Sequence, residues 1–341
     1  MRRACYPTDP ARGQGGRSDN LPMHLLVPFA SDDSEACRHV LRDLSLPNLA
    51  RLLARLGPAA ADRGDASSFS PPHERALAAA WGWRGGDGAL PFAAHRAGAD
   101  GVATGEQAWG LVTPAHWLLG RDHATMIDPA QLRLSDDESR SLFAAVRELF
   151  ESEGFATAWG DAGRWYIGRA ELEGFATASL DRVIGRNVDR WLGETRSDIG
   201  RLVRRLQSEV QLVFHAHPVN EAREERGEPV VNSFWLSGCG RAQAVTGKAL
   251  PAVDASLRGP LLAGDWAGWA DGWHALDAGA IGRLLAGAPA DGQAAATDAG
   301  DSVTLCGERA AARFETQPRS FIERVRGRWR SVEPHAVLAG L

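Results

Sequence analysis

The first clear pattern in the chain is a short apolar run at 24–29, HLLVPF, closed by Pro28 and followed by the polar stretch SDDSE. It predicts a strand that opens into a loop. Leu41, Leu44, Leu49, Leu52, Leu53 and Leu56 then recur at helical spacing. Pro47 suits a first helical turn and Gly57 an end. Residues 59–72 are rich in Ala, Asp, Ser and Pro and predict an exposed loop. A short helix is expected at 74–81, and the glycine-rich stretch 82–105 carries little periodicity. Ser135 and Glu138 form a capping-box pattern. Behind it Leu142, Phe143, Val146, Leu149 and Phe150 share one helical face, and Gly154 ends that helix. Residues 155–159 and 164–168 predict a hairpin around GDAG.

Ile199, Leu202, Val203, Leu206, Val210, Val213 and Phe214 make the cleanest amphipathic helix, stopped by Pro218. Residues 232–236 predict a strand entering a glycine turn, SGCGR. Trp266, Trp269, Trp273, Leu276, Ile281, Leu284 and Leu285 predict a helical region. Residues 302–306 are strand-like, and Phe321, Ile322, Val325 and Trp329 predict a last amphipathic helix. Strands alternating with helices favour a layered α/β fold, and no internal repeat is visible.

Composition narrows the picture. A chain of 341 residues holds two domains, or one with a large insertion. A net charge of −5 gives no basic field for nucleic acid or an anionic membrane, and no apolar run approaches membrane-spanning length. Cys5, Cys37, Cys239 and Cys306 are scattered, which argues against a zinc ribbon or disulfide framework and fits a reducing, cytoplasmic setting. Residues 1–22 lack the apolar core of a secretory signal and are expected to be a disordered leader, with Met23 an alternative start.

Candidate chemistry concentrates at 217–241, HPVNEAREERGEPVVNSFWLSGCGR. His217, Asn220, Arg223, Arg226, Asn232, Trp235 and Arg241 fall within 25 residues. Loop arginines suit carboxylate or phosphate oxygens, and Gly238 and Gly240 let backbone amides approach a ligand. The plainer reading is a solvated charged turn with His217 capping a helix. Cys239, between two glycines near Arg241, is either a reactive thiolate or a small buried turn residue. The basic stretch 324–330, RVRGRWR, is too short to imply nucleic acid.

The 217–241 segment resembles the end of the inserted domain of archaeal-type cofactor-independent phosphoglycerate mutases, which belong to the alkaline-phosphatase superfamily. There the pattern is H-P-x-N, a basic loop, then A-N-x-I-W-x-W-G-x-G. LSLPNLARLLAR is similar to the T-P-N-L-D-x-L-A helix of that superfamily. HATMIDPAQLRLSDDESRSLFAAV resembles the strand, turn and helix opening the insertion. GRWYIG and ASLDRVIG stand where those mutases carry an arginine strand and a P-P-H-D motif. The likeness runs over 111–241, is weak at 24–110, and is nearly absent past 250. Within the family it leans toward bacterial proteins described as phosphoglycerate mutase or Rpf-type regulatory protein.

The resemblance implies an alkaline-phosphatase-like layered α/β core, reduced, formed by 23–110 plus 242–341, with an inserted α+β ligand-binding domain at 111–241. It implies that Arg164, Asp181, His217, Asn220, Arg223 and Asn232 hold a small phosphorylated acid such as phosphoglycerate, with Arg241 beside them. Leu180 stands where P-P-H-D has His.

Family chemistry needs a Ser or Thr nucleophile and two metal ions held by Asp and His, manganese or zinc if the chain is active. Here no D-G follows the first strand, leaving Asp32 and Asp33 displaced. Ser70, with Ser68 and His73 nearby, lacks the S-D-x-A-H context, and the sole D-H pair, Asp122–His123, lies at the insertion boundary. Asp265, Asp271, His274 and Asp277 form a local cluster in which Asp271 and His274 share a helix face as a candidate metal pair. Three readings stand: a degenerate, regulatory relative that keeps the ligand-holding insert; an active metal-dependent mutase or phosphatase; and a protein-interaction module using the tryptophan-rich 262–285 region.

Overall fold

The computed structural model describes residues 23–193, 197–247, 249–287, 301–316 and 332–341. The expected leader, the final amphipathic helix and the basic stretch at 324–330 lie outside the described residues. The chain divides into two compact units. One holds the described residues up to 66, 72–82, and those from 246 onward; the other holds 67–71 and 83–245. The second unit thus takes in 67–71, 83–110 and 242–245, which the sequence grouped with the core.

The first unit opens with β1 (His24–Val27), α1 (Glu35–Asp43) and α2 (Pro47–Arg55). The leucine series is therefore two helices. Ser34 caps α1 through a bond from the Cys37 amide, and Pro47 begins α2 as expected. The stretch expected to be a loop contains β2 (Gly57–Arg63), followed by α3 (Pro72–Trp81). β2 hides from a period-2 reading because its alanines give no apolar alternation. It is an edge strand, the setting that tolerates Pro58. The chain re-enters the unit with β9 (Ala252–Val253), α9 (Arg258–Leu262), α10 (Trp266–Leu276), a π-helical segment (Asp277–Ile281), α11 (Gly282–Gly287), β10 (Ser302–Cys306), β11 (Ala310–Glu315) and α12 (Pro334–Leu338).

The sheet order is β2-β11-β10-β1-β9, with β1 parallel to both neighbours and β11 antiparallel to both of its own. Leu25, Val27, Val303 and Leu305 face a core completed by Leu41, Leu49, Leu52, Trp269, Trp273 and Ile281. Alternate residues such as Leu26 and Thr304 face the other way, and α3 packs against β1 and β10. Helices and a mixed sheet in layers are what the expected α/β class describes.

Trp269 and Trp273 are fully buried and edge-to-face, and the Trp269 indole donates to the Phe29 carbonyl at 3.0 Å. The tryptophan-rich helix is core, which counts against its reading as a partner surface. Among the described residues no helix is long and apolar enough to cross a membrane.

The second unit begins with α4 (Phe92–Ala99), in a stretch without visible periodicity. It continues with β3 (Ala108–Ala115), a ribbon of β4 (Trp117–Leu119) and β5 (Ala124–Met126), then α5 (Asp136–Ser152), β6 (Ala156–Asp161), β7 (Arg164–Gly168), α6 (Leu180–Val183), α7 (Asp198–His215), α8 (Pro218–Glu225) and β8 (Ser233–Arg241). The sheet β6-β7-β3-β8 is wholly antiparallel. The capping box forms as read from the sequence. One sheet face presents Val112, Trp165, Ile167, Phe234 and Leu236 to Leu142, Val146 and Phe150 of α5 and Leu206, Val210 and Phe214 of α7. The other presents Trp109 and Tyr166 to Ala94 and Ala97 of α4.

Two local expectations are corrected here. Pro218 ends α7 but also starts α8, because its missing N–H is harmless in a first turn; EAREERGE is therefore mostly helix. The SGCGR stretch is no turn. It is the continuation of β8, bulged opposite Trp109 and Leu111. Gly238 and Gly240 have positive φ, 65° and 145°. A Cβ at Gly238 would lie 2.9 Å from the Ala93 amide nitrogen, and one at Gly240 would lie 3.1 Å from Pro91 Cβ. These glycines make room for α4 rather than for a ligand.

Candidate functional site

Each sequence-predicted site residue can be traced to its partners. Asn220 is buried, and both ends of its amide are engaged. Nδ2 donates to the Phe214 and Val231 carbonyls at 2.7 Å each, and Oδ1 accepts from the Val231 amide at 2.9 Å. It stitches the end of α7 to the approach of β8. Asn232 acts as a backbone mimic, accepting from Trp117 N at 2.7 Å and donating to Trp117 O at 2.9 Å.

Arg223 is 1% exposed. Its Nε donates to Pro229 O at 2.8 Å, its NH2 to Leu132 O, and its NH1 to both Glu138 oxygens at 3.1 Å. Such a fork is a buried charge satisfied by the fold, with no donor turned to a ligand. Arg226 shares Glu138 at 2.8 Å from the exposed side. Hydrogen bonds from Ser135 and Arg223 outweigh the burial of Glu138 and hold its carboxyl below the usual range.

Arg164 grips Asp100 with two bonds, 2.8 and 3.0 Å, and also pairs with Asp161. Tyr166 donates to the same Asp100 at 2.6 Å. Burial, then the bond to Asp100, raises the Tyr166 hydroxyl pKa. Asp181 is buried at the start of α6, its amide held by Ser179 Oγ at 3.3 Å.

His217 is the N-cap of α8. Its Nδ1 accepts from Val219 N at 3.2 Å, so the ring is neutral there, and partial burial lowers its pKa. Arg241 is about half exposed, its Nε 3.7 Å from Glu173. Thus Arg164, Asn220, Arg223 and Asn232, expected to grip a ligand, each have partners within their own unit. The sequence could not reveal this because their partners, Asp100, Glu138, Trp117 and Val231, are mostly far along the chain.

The catalytic and metal candidates can be traced in the same way. Asp32 Oδ1 accepts from the Ser34 amide at 2.7 Å, closing a turn before α1, and Asp33 pairs with Arg309. Ser70 is 2% exposed; its amide donates to Asp87 Oδ1 and its Oγ accepts from Gly88 N, both at 2.8 Å. A hydroxyl so placed serves as a loop staple. Asp265 caps α10 through the Gly268 amide at 2.9 Å, while Asp277 caps α2 through Asn48 N at 3.1 Å and Leu49 N at 2.7 Å. Asp271 and His274 are exposed on α10, and among the described residues no three His, Cys, Asp or Glu side chains converge as a metal site. Cys239 is fully buried and its thiol is pushed up to about 12 by desolvation, so the buried-residue reading applies and the reactive-thiolate one does not.

What the sequence reading missed is a cleft within the second unit. It is walled by Phe175, Trp191 and Trp235 and by one face of α7 that carries Gly200, Val203, Arg204 and Gln207. The i, i+3, i+4, i+7 spacing of those four residues was legible. The stronger apolar stripe of α7 belongs to its core face.

No known family's sequence profile matches the chain. No curated protein matches it either. Among solved structures, the chain is similar to the PH0037 protein from Pyrococcus horikoshii, at TM-score 0.42 and 14% identity over 86% of this chain and 87% of that one. It is also similar to the cofactor-independent phosphoglycerate mutase from Thermoplasma acidophilum DSM 1728, at TM-score 0.34 and 14% identity over 94% of this chain and 99% of that one. The class these observations define is a two-unit α/β protein, one unit of mixed sheet and one of antiparallel sheet.

Proposed function

We propose that this chain is a phosphoglycerate-mutase-like protein of alkaline-phosphatase type. In this reading it has lost the two-metal phosphotransfer centre, binds a small phosphorylated or carboxylate ligand, and acts in regulation. The observation that carries the reading is the interruption of the first unit. The chain leaves it after α3 and returns before β9. The intervening unit ends in the H-P-x-N to G-x-G segment whose resemblance implies an insertion of this kind.

The roles of the metal and nucleophile candidates favour degeneracy over activity. Asp32 and Asp33 follow β1, where the family's first metal ligand belongs, but one closes a turn and the other pairs with Arg309. Ser70 is buried as a staple. Active chemistry would require these groups to be released from bonds the fold uses.

The test is a mutase and phosphatase assay over a panel including manganese and zinc, run beside calorimetry with 3-phosphoglycerate. The expected result is binding without turnover. Metal-dependent turnover would establish the second reading, an active mutase or phosphatase with rearranged ligands. Neither binding nor turnover would remove both.

A further inference from the structure

No residue named by the resemblance as a ligand holder lines the cleft on α7. Its open space is about 420 Å³ including the mouth, and its enclosed part has room for only a few water-sized groups. Trp235 is fixed as a wall, its indole donating to Ala178 O at 2.8 Å. Trp191 stands against Phe69 at 6.3 Å between ring centres. The Trp191 Nε1–H is buried and has no acceptor among the described residues.

Besides Thr177, two polar side chains interrupt this apolar lining. Gln207 is buried, and its Nε2 is tied to Phe234 O at 2.9 Å, which fixes the amide and leaves Oε1 without a hydrogen bond among the described residues. Arg204 is half-buried. Its α7 neighbours are neutralised, Arg201 by Asp198 and Arg205 by Glu153 at 2.7 Å. The guanidinium of Arg204 makes no ion pair or hydrogen bond among the described residues. A lone cation at the edge of an aromatic-walled slot marks a place for one compensating charge.

We propose that this cleft binds a small monocarboxylate with a short apolar body. The carboxylate meets the Arg204 fork and the apolar end lies between Trp191 and Trp235. One guanidinium matches one carboxylate through two parallel bonds. A phosphorylated acid brings several charges into a slot with a single cation, and the surplus stays desolvated and unpaired. The cleft therefore selects against the phosphorylated acids among the ligands of the proposed function and constitutes a second, separate site.

The experiment is titration of the full chain with butyrate, read by the indole N–H signals of Trp235 and Trp191 in proton–nitrogen spectra, with each signal assigned by a Trp→Phe variant. Saturable shifts of these signals are expected. Arg204→Gln should weaken butyrate binding about tenfold or more, with the remaining spectrum unchanged, and Arg204→Lys should fall between. Butyramide and inorganic phosphate should leave both signals in place. No saturable shift with butyrate, an Arg204→Gln variant that binds as tightly, or equal binding of butyramide would overturn the proposal. Any of these leaves the 3-phosphoglycerate calorimetry, which reads the proposed function, unaffected.

Discussion

Arg223 and Glu138 stand 85 residues apart in sequence and share two hydrogen bonds of 3.1 Å in the second unit. Glu138 is at the same moment the capping-box residue of α5, accepting from the Ser135 amide at 3.0 Å. One carboxylate thus secures a helix start and neutralises a buried guanidinium. The geometry gives Arg223 a role in folding.

Arg223→Ala is therefore expected to destabilise the protein by about 3 kcal/mol, since it strands the carbonyls of Leu132 and Pro229 and leaves Glu138 with only Ser135 and Arg226. Arg241→Ala, at a half-exposed site, should stay within about 0.5 kcal/mol. Urea unfolding of the two variants decides. Equal stability of both would mean the Arg223 network contributes nothing.

His24 sets an acid limit on the first unit. It is buried on β1 with its ring 2.8 Å from Thr304 Oγ1. Burial, reinforced by Arg313, lowers its pKa from 6.5 to about 4. The native state favours the neutral ring, so the unfolded state binds more protons between those two values. Stability is then fully present above about pH 6.5 and declines as pH falls toward 4, by about 3 kcal/mol in total. Denaturant midpoints measured across that window should fall with pH. In His24→Gln the slope should be shallower; an unchanged slope would assign it to other groups.

Asp277 joins the π-helical segment to α2 by accepting from the Asn48 and Leu49 amides. Asp277→Ala removes an N-terminal anchor and a favourable charge at that helix end, costing about 1–2 kcal/mol. Asp277→Asn should recover part of the loss. Thermal unfolding is the measurement, and an alanine variant as stable as the parent would rule out the cap.

Gly238→Ala should be more damaging than its size suggests. The new methyl would sit 2.9 Å from the Ala93 amide nitrogen at a φ of 65°. A loss of about 2 kcal/mol or more is expected, with altered protection of α4 in hydrogen exchange. Normal stability and exchange would show that β8 and α4 do not meet there as described.

Much was legible in the sequence. Period-3.6 stripes gave α5 and α7, Ser135 and Glu138 gave a capping box down to its bonds, and the hairpin pattern around GDAG gave β7. Local rules sufficed there because each signal and its partner lie within a few residues. β2 and α4 were hidden, since alanine-rich segments owe their structure to neighbours rather than to a pattern of their own.

The polar residues followed a different logic. The sequence alone determined that arginines, asparagines and a histidine cluster at 217–241, and local spacing alone made them look like a ligand grip. Only the tertiary structure decided their use, because a polar group's role is set by whichever partner reaches it. Asp100 takes Arg164, Glu138 takes Arg223, and the Trp117 backbone takes Asn232, all across long chain separations. Arg204 has no such partner among the described residues, whereas its α7 neighbours Arg201 and Arg205 pair with Asp198 and Glu153.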